Sequence, residues 1–163
     1  MKKIYFIRHA KAVEEGEGDD FERDLSERGK KDLALMCERL KKYEVKADAI
    51  FSSPAKRCAK TAQKLAEAIK FKKKIKFKDG LYGAQTHELL AFIREFDDKF
   101  QSVFVIAHND AITEICELLS DAAIGNIPTC GIFCVEFDDS FKELKEHGVK
   151  ALFFDYPKKH KKA

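Results

Sequence analysis

The sequence predicts an α/β fold in three layers, a largely parallel central sheet flanked by helices on both faces. Three observations predict it. Short apolar runs of strand length alternate with segments whose apolar residues recur at helical spacing. The strongest runs are apolar throughout, as strands covered on both faces are. No cluster of the 3 prolines and 8 glycines divides the 163 residues. One domain is therefore expected over residues 1–157, with a basic tail at 158–163.

The elements follow in order. Ile4-Tyr5-Phe6-Ile7 reads as a buried strand. Leu25-Ser26 opens a helix with Ser26 as N-cap, and Leu33, Met36, Cys37 and Leu40 share one of its faces. Ala47–Phe51 is the next strand. Ser52-Ser53-Pro54 then reads as a cap and first-turn proline for a helix carrying Cys58, Ala62, Leu65, Ala66 and Ile69. Lys74–Lys78 is a basic strand within a lysine-rich stretch from Lys70, read as a solvated edge guarded by charge. Leu89, Phe92, Ile93 and Phe96 mark a third helix. Val103–Ala107 is the most hydrophobic strand, and a fourth helix begins near Asn109 with Ile112, Ile115, Cys116 and Leu119 inward. Ile132–Phe137 and Val149–Phe154 close the chain as an antiparallel pair at the end of the sheet.

Composition narrows the function classes. The chain is 45% hydrophobic and 36% charged, which excludes disorder. With 31 basic and 28 acidic residues the net charge is +3, too balanced to announce a nucleic-acid binder. No apolar run approaches the ~20 residues of a membrane span, and Met1-Lys2-Lys3 precedes too short an apolar run for a secretory signal. The expected location is cytoplasmic, with neither nucleic acid nor membrane as partner. The 5 cysteines form no C-x-x-C and are read as packing residues.

In parallel α/β sheets ligands bind beyond the carboxyl ends of the strands. Two of the most apolar strands here run into Arg8-His9 and His108-Asn109, and Arg57 follows the second strand at the start of its helix. If these strands are parallel, two histidines and two arginines converge where helix N-termini also attract anions. Guanidinium forks match phosphate geometry. The pattern points to a phosphate or carboxylate site containing two histidines.

These residues carry a family resemblance. Ile7-Arg8-His9-Ala10-Lys11-Ala12 resembles the R-H-[GA] opening of the histidine phosphatase superfamily. Arg23-Asp24-Leu25-Ser26-Glu27-Arg28-Gly29 is similar to its R-x-L-[ST]-x-x-G segment, and Phe51–Ala62 to its S-S-P-x-x-R-[AC]-x-x-T-A segment. Leu81-Tyr82, Ala107-His108-Asn109 and Pro128-Thr129 fall in the same order as in that family. The short length and the A-K-A and L-Y blocks resemble the branch of SixA-type phosphohistidine phosphatases. The resemblance implies a phosphoglycerate mutase-like fold and a metal-independent phosphatase without cofactor. It implies His9 as the nucleophile, with Arg8, Arg57 and His108 holding the phosphate oxygens and Arg23 at the pocket rim. Asn109 is expected to cap its helix. The implied partner is a phosphorylated protein bearing phosphohistidine, or a small phosphorylated substrate; the oligomeric state is left open.

Three departures from the pattern matter. Ala107 stands where the family has glycine. Asp110 follows His108-Asn109; it serves the helix N-terminus or else repels phosphate. For the family's proton-donating glutamate the near candidates are Glu88 and its neighbour His87, with Glu88 as the possible donor. An alkoxide leaving group needs a proton, whereas imidazole needs it much less, so a weak acid favours a phosphoramidate substrate. The alternatives are a small-molecule phosphomonoester phosphatase or mutase of the same superfamily, and a non-catalytic phosphate-binding module.

Overall fold

The computed structural model describes residues 1–16 and 18–160. Of the expected tail, residues 161–163 lie outside the described residues. Six strands form one sheet: β1 (Lys2–Arg8), β2 (Ala49–Ser52), β3 (Lys76–Phe77), β4 (Ser102–Ala107), β5 (Ile132–Phe137) and β6 (Lys150–Asp155). Their spatial order is β3-β2-β4-β1-β5-β6. The first four are mutually parallel, and β5 lies antiparallel to both β1 and β6. Helices α1 (Glu27–Lys42) and α2 (Lys56–Ala68) cover one face; α3 (Thr86–Arg94) and α4 (Ala111–Leu119) cover the other.

The strand period of two sorts the core. Along β4, Val103, Val105 and Ala107 pack with α3 and α4, while Phe104 and Ile106 pack with α1 and α2. The same alternation puts Ile4 and Phe6 of β1 on one side and Tyr5 and Ile7 on the other. Because both faces are covered, β1 and β4 read as continuous apolar runs. Burying each such side chain contributes about 1.5–3 kcal/mol.

Ser26 caps α1 as expected, its hydroxyl accepting from Gly29 N at 3.0 Å. The expected cap of α2 is corrected. That helix starts at Lys56 behind Ala55, with no side-chain cap. Ser53 has instead turned toward His108. Asn109 is also no cap: Asp110 holds that position on α4, again without a side-chain bond, and Asn109 Oδ1 accepts from the Thr113 hydroxyl. The basic strand shrinks to Lys76–Phe77, because only those residues register with Phe51 and Ser52. A two-residue edge among lysines offers little to a foreign strand. All five cysteines are free and buried. No helix among the described residues is long and apolar enough to cross a membrane.

Candidate active site

Register brings the strand ends level. Arg8 pairs with Ala107 and Ser52 with Ile106, so His9, His108 and Ser53 leave the sheet side by side. The turn after β1 is held by backbone bonds: His9 N donates to Ala107 O, and Cys130 N donates to His9 O at 2.9 Å. Ala10 N donates to the Thr61 hydroxyl at 2.9 Å, and Thr61 donates to Arg57 O, so the turn and α2 move as a unit.

The crevice there has a volume of about 580 Å³. Arg8, His9, Arg23, Arg57 and His108 all line it, as do Lys11, Asp20 and Tyr82. The imidazole centroids of His9 and His108 are 5.4 Å apart. A larger groove between α1 and α2, about 1240 Å³, carries neither histidine nor arginine.

His9 Nδ1 lies 2.8 Å from Ala10 O. A carbonyl only accepts, so Nδ1 carries the proton and Nε2 keeps its lone pair. Burial, outweighing that hydrogen bond, pulls the His9 pKa down to about 3, with His108, Arg57 and Arg8 adding repulsion. Burial also lowers His108 to about 4, helped by Arg57. Both rings are neutral at pH 7. His108 Nε2 lies 2.8 Å from Ser53 Oγ, and its Nδ1 is 3.4 Å from Arg57 Nη2. Cys58 packs beneath, 3.5 Å from Nε2, with burial raising its thiol to about 12.

Arg8 is anchored by Nη1 donating to Ile127 O at 2.9 Å, and burial lowers its pKa against the opposing pull of Asp110. Asp110 is exposed. Arg57 Nη1 donates to Asp20 O at 2.8 Å, and Nη2 meets Asp20 Oδ2 at 3.1 Å. The Nε atoms of Arg8 and Arg57 are both buried without an acceptor among the described residues. Asp20 also accepts from Arg23 Nε at 2.8 Å and from the Tyr82 hydroxyl at 2.7 Å. The Tyr82 bond, with the two arginines, holds Asp20 ionised down to about 2.

Glu88 is not brought to this crevice. It is exposed, and its Oε1 accepts from Gln85 N in the capping box of α3. His87, in the first turn of the same helix, also lies outside. The sequence reading missed Asp20, Ser53 and the role of Tyr82. Asp20 stands three residues before Arg23, within a polar stretch of similar residues. Among the described residues no group of three or more His, Cys, Asp or Glu is placed to hold a metal ion.

The family model of the histidine phosphatase superfamily (branch 1) matches residues 4–87. A search of curated proteins finds no match. Solved structures share the fold. A candidate phosphohistidine phosphatase, SixA, from Agrobacterium tumefaciens is 25% identical, with 96% of this chain and 98% of that chain covered and a TM-score of 0.82. A protein histidine phosphatase SixA complexed with tungstate is 18% identical over 95% and 97% of the chains, with a TM-score of 0.81. A phosphoserine phosphatase of Entamoeba histolytica in complex with phosphoserine is 16% identical over 96% and 98%, with a TM-score of 0.65.

Proposed function

The chain belongs to the histidine phosphatase superfamily, and from that membership we propose that this phosphatase acts on phosphohistidine, transferring the phosphoryl group through His9. The carrying observation is a neutral imidazole of fixed tautomer, its Nε2 unprotonated, ringed by Arg8, Arg57 and His108. The similarity to SixA proteins supports the same reading.

Phosphoryl transfer asks chiefly for positioning and charge stabilisation. His9 Nε2 attacks phosphorus of a phosphohistidine ring protonated on its other nitrogen, the bond from phosphorus to the substrate nitrogen breaks, and its electron pair stays on that nitrogen, so that the ring leaves as neutral imidazole. Arg8 and Arg57, which both line the crevice, neutralise the equatorial oxygens. Arg57 Nη2 can only donate, so His108 Nδ1 accepts from it and the ring proton sits on Nε2, facing the Ser53 hydroxyl; the two contacts fix the His108 tautomer. Water then attacks the phosphoryl on His9, releasing inorganic phosphate and the neutral ring.

The leaving group argues for a phosphoramidate. Among the described residues Asp20 is the one carboxylate lining the crevice, and with a pKa of about 2 it has no proton to give at neutral pH. General-acid help is typically worth about 10²–10⁴ in rate; an alkoxide needs it from the protein, whereas a phosphohistidine ring can take up its proton from water at the far nitrogen before it leaves.

The test is trapping. Protein mixed with a phosphohistidine peptide and quenched within one turnover should carry a base-stable, acid-labile phosphoryl group on His9, and His9→Ala should form none and lose turnover. Full activity in His9→Ala, or sugar phosphates as the best substrates, would replace this reading with another nucleophile or with a phosphomonoesterase.

A further inference from the structure

We propose that Tyr82 is a specificity-determining wall of the crevice, selecting substrates whose phosphoryl group sits on a flat aromatic ring. The inference deepens the phosphohistidine reading and rests on it.

Tyr82 follows a 3-10 turn, Asp79–Leu81, whose last residue is 2% exposed and anchors the segment in the core. Tyr82 itself is 38% exposed, so its ring is not there to fill the core. Three contacts fix it. Its ring stands edge-on to His108 at a centroid distance of 5.5 Å and 72°. Phe21 meets it at 5.2 Å and 89°. Its hydroxyl donates to Asp20 at 2.7 Å. Asp20 in turn is held by Arg23 and Arg57, so the ring is tied to the residues that face the phosphoryl group.

The result is a preorganised aromatic surface on the crevice wall, next to one of the two histidines. A side chain that carries its phosphoryl group to His9 passes this surface. An imidazole can stack on it or meet it edge-on; a serine or sugar hydroxyl carbon gains nothing comparable. Because the ring is already immobilised, little further ordering opposes the contact. Aromatic pairs of this kind are worth about 2- to 12-fold beyond area burial.

The experiment compares two substrates with the same kind of scissile bond, a phosphohistidine peptide and ringless phosphoramidate. In Tyr82→Ala and Tyr82→Leu the ratio of kcat/KM for the peptide over phosphoramidate should fall about 3- to 10-fold from the wild-type ratio. Tyr82→Phe should retain the ratio, since it keeps the ring and loses only the bond to Asp20. Equal losses on both substrates in the Ala and Leu variants would make Tyr82 a structural support and overturn the proposal. A ratio that falls as far in Tyr82→Phe would assign the effect to the hydroxyl, with the same consequence. A wild-type protein that turns over neither substrate would defeat the phosphohistidine reading itself, and the ring selection with it.

Discussion

His9 and His108 are kept neutral by burial, and this has a consequence away from catalysis. The ordinary histidine pKa is near 6.5, whereas the folded values are about 3 and about 4. Between those limits the unfolded chain binds more protons than the folded one. Stability is therefore full above about pH 6.5 and is lost as pH falls toward the folded values. Each ring contributes at most about 1.4 kcal/mol per pH unit across that window. Denaturant midpoints should fall from pH 7 to pH 5, and the slope should be shallower in His9→Ala. An unchanged slope in that variant would mean the ring is not held neutral. Glu88 makes a second residue-scale case. Its capping role is one that glutamine also fills, so Glu88→Gln should leave kcat/KM on phosphohistidine within about two-fold, by the same general-acid scale that would cost 10²–10⁴ were it the acid. Steady-state assays decide it.

At the scale of elements, α1 matters through its seating on the segment that follows β1. Ser26 N and Oγ both donate to Lys11 O, two residues beyond His9. Gly29 lies over the same carbonyl, and a Cβ there would stand 2.0 Å from Lys11 O. Backbone cannot yield as a flexible side chain does, so α1 would be pushed off the turn. Gly29→Ala should cost about 1–3 kcal/mol of stability, the range for overpacking, and should lower kcat by shifting the His9 turn. Urea unfolding and kcat measured together check both halves. Full stability in Gly29→Ala would refute the close approach. Asp24 binds the pair from the other side, pairing with Lys60 of α2 at 2.8 Å.

For the whole molecule, the crevice joins the end of β1, the turn after β4 and the start of α2, so an oxyanion bound there should stabilise the entire fold. At a concentration about 100 times its Kd a ligand adds about 2.7 kcal/mol. For a domain of this size that raises Tm by roughly 5–10 °C. Tungstate or vanadate should produce such a shift, and Arg57→Ala should remove it. A shift that survives Arg57→Ala would place the anion elsewhere. Fixed guanidinium groups supply the charge stabilisation, so turnover should also persist in EDTA.

What could be read from the chain alone follows from local periodicity. Buried parallel strands must be apolar on both faces, so Ile4–Ile7 and Val103–Ala107 announced themselves, and the residues directly after them had to lie at the strand ends. That much placed Arg8, His9, Arg57 and His108 together, because parallel pairing leaves their strands little choice of direction. Ser53, Asp20 and Tyr82 were beyond such reading. Ser53 fits a helix cap by sequence, yet α2 begins later, and the hydroxyl meets His108 55 residues away. Asp20 meets Arg57 and Tyr82 across 37 and 62 residues. Loop residues carry no periodicity, and their side chains find partners only when the sheet has fixed the distances. Glu88 shows the converse: a carboxylate in the right stretch of sequence was turned outward by its own helix start, and only the folded chain could decide that.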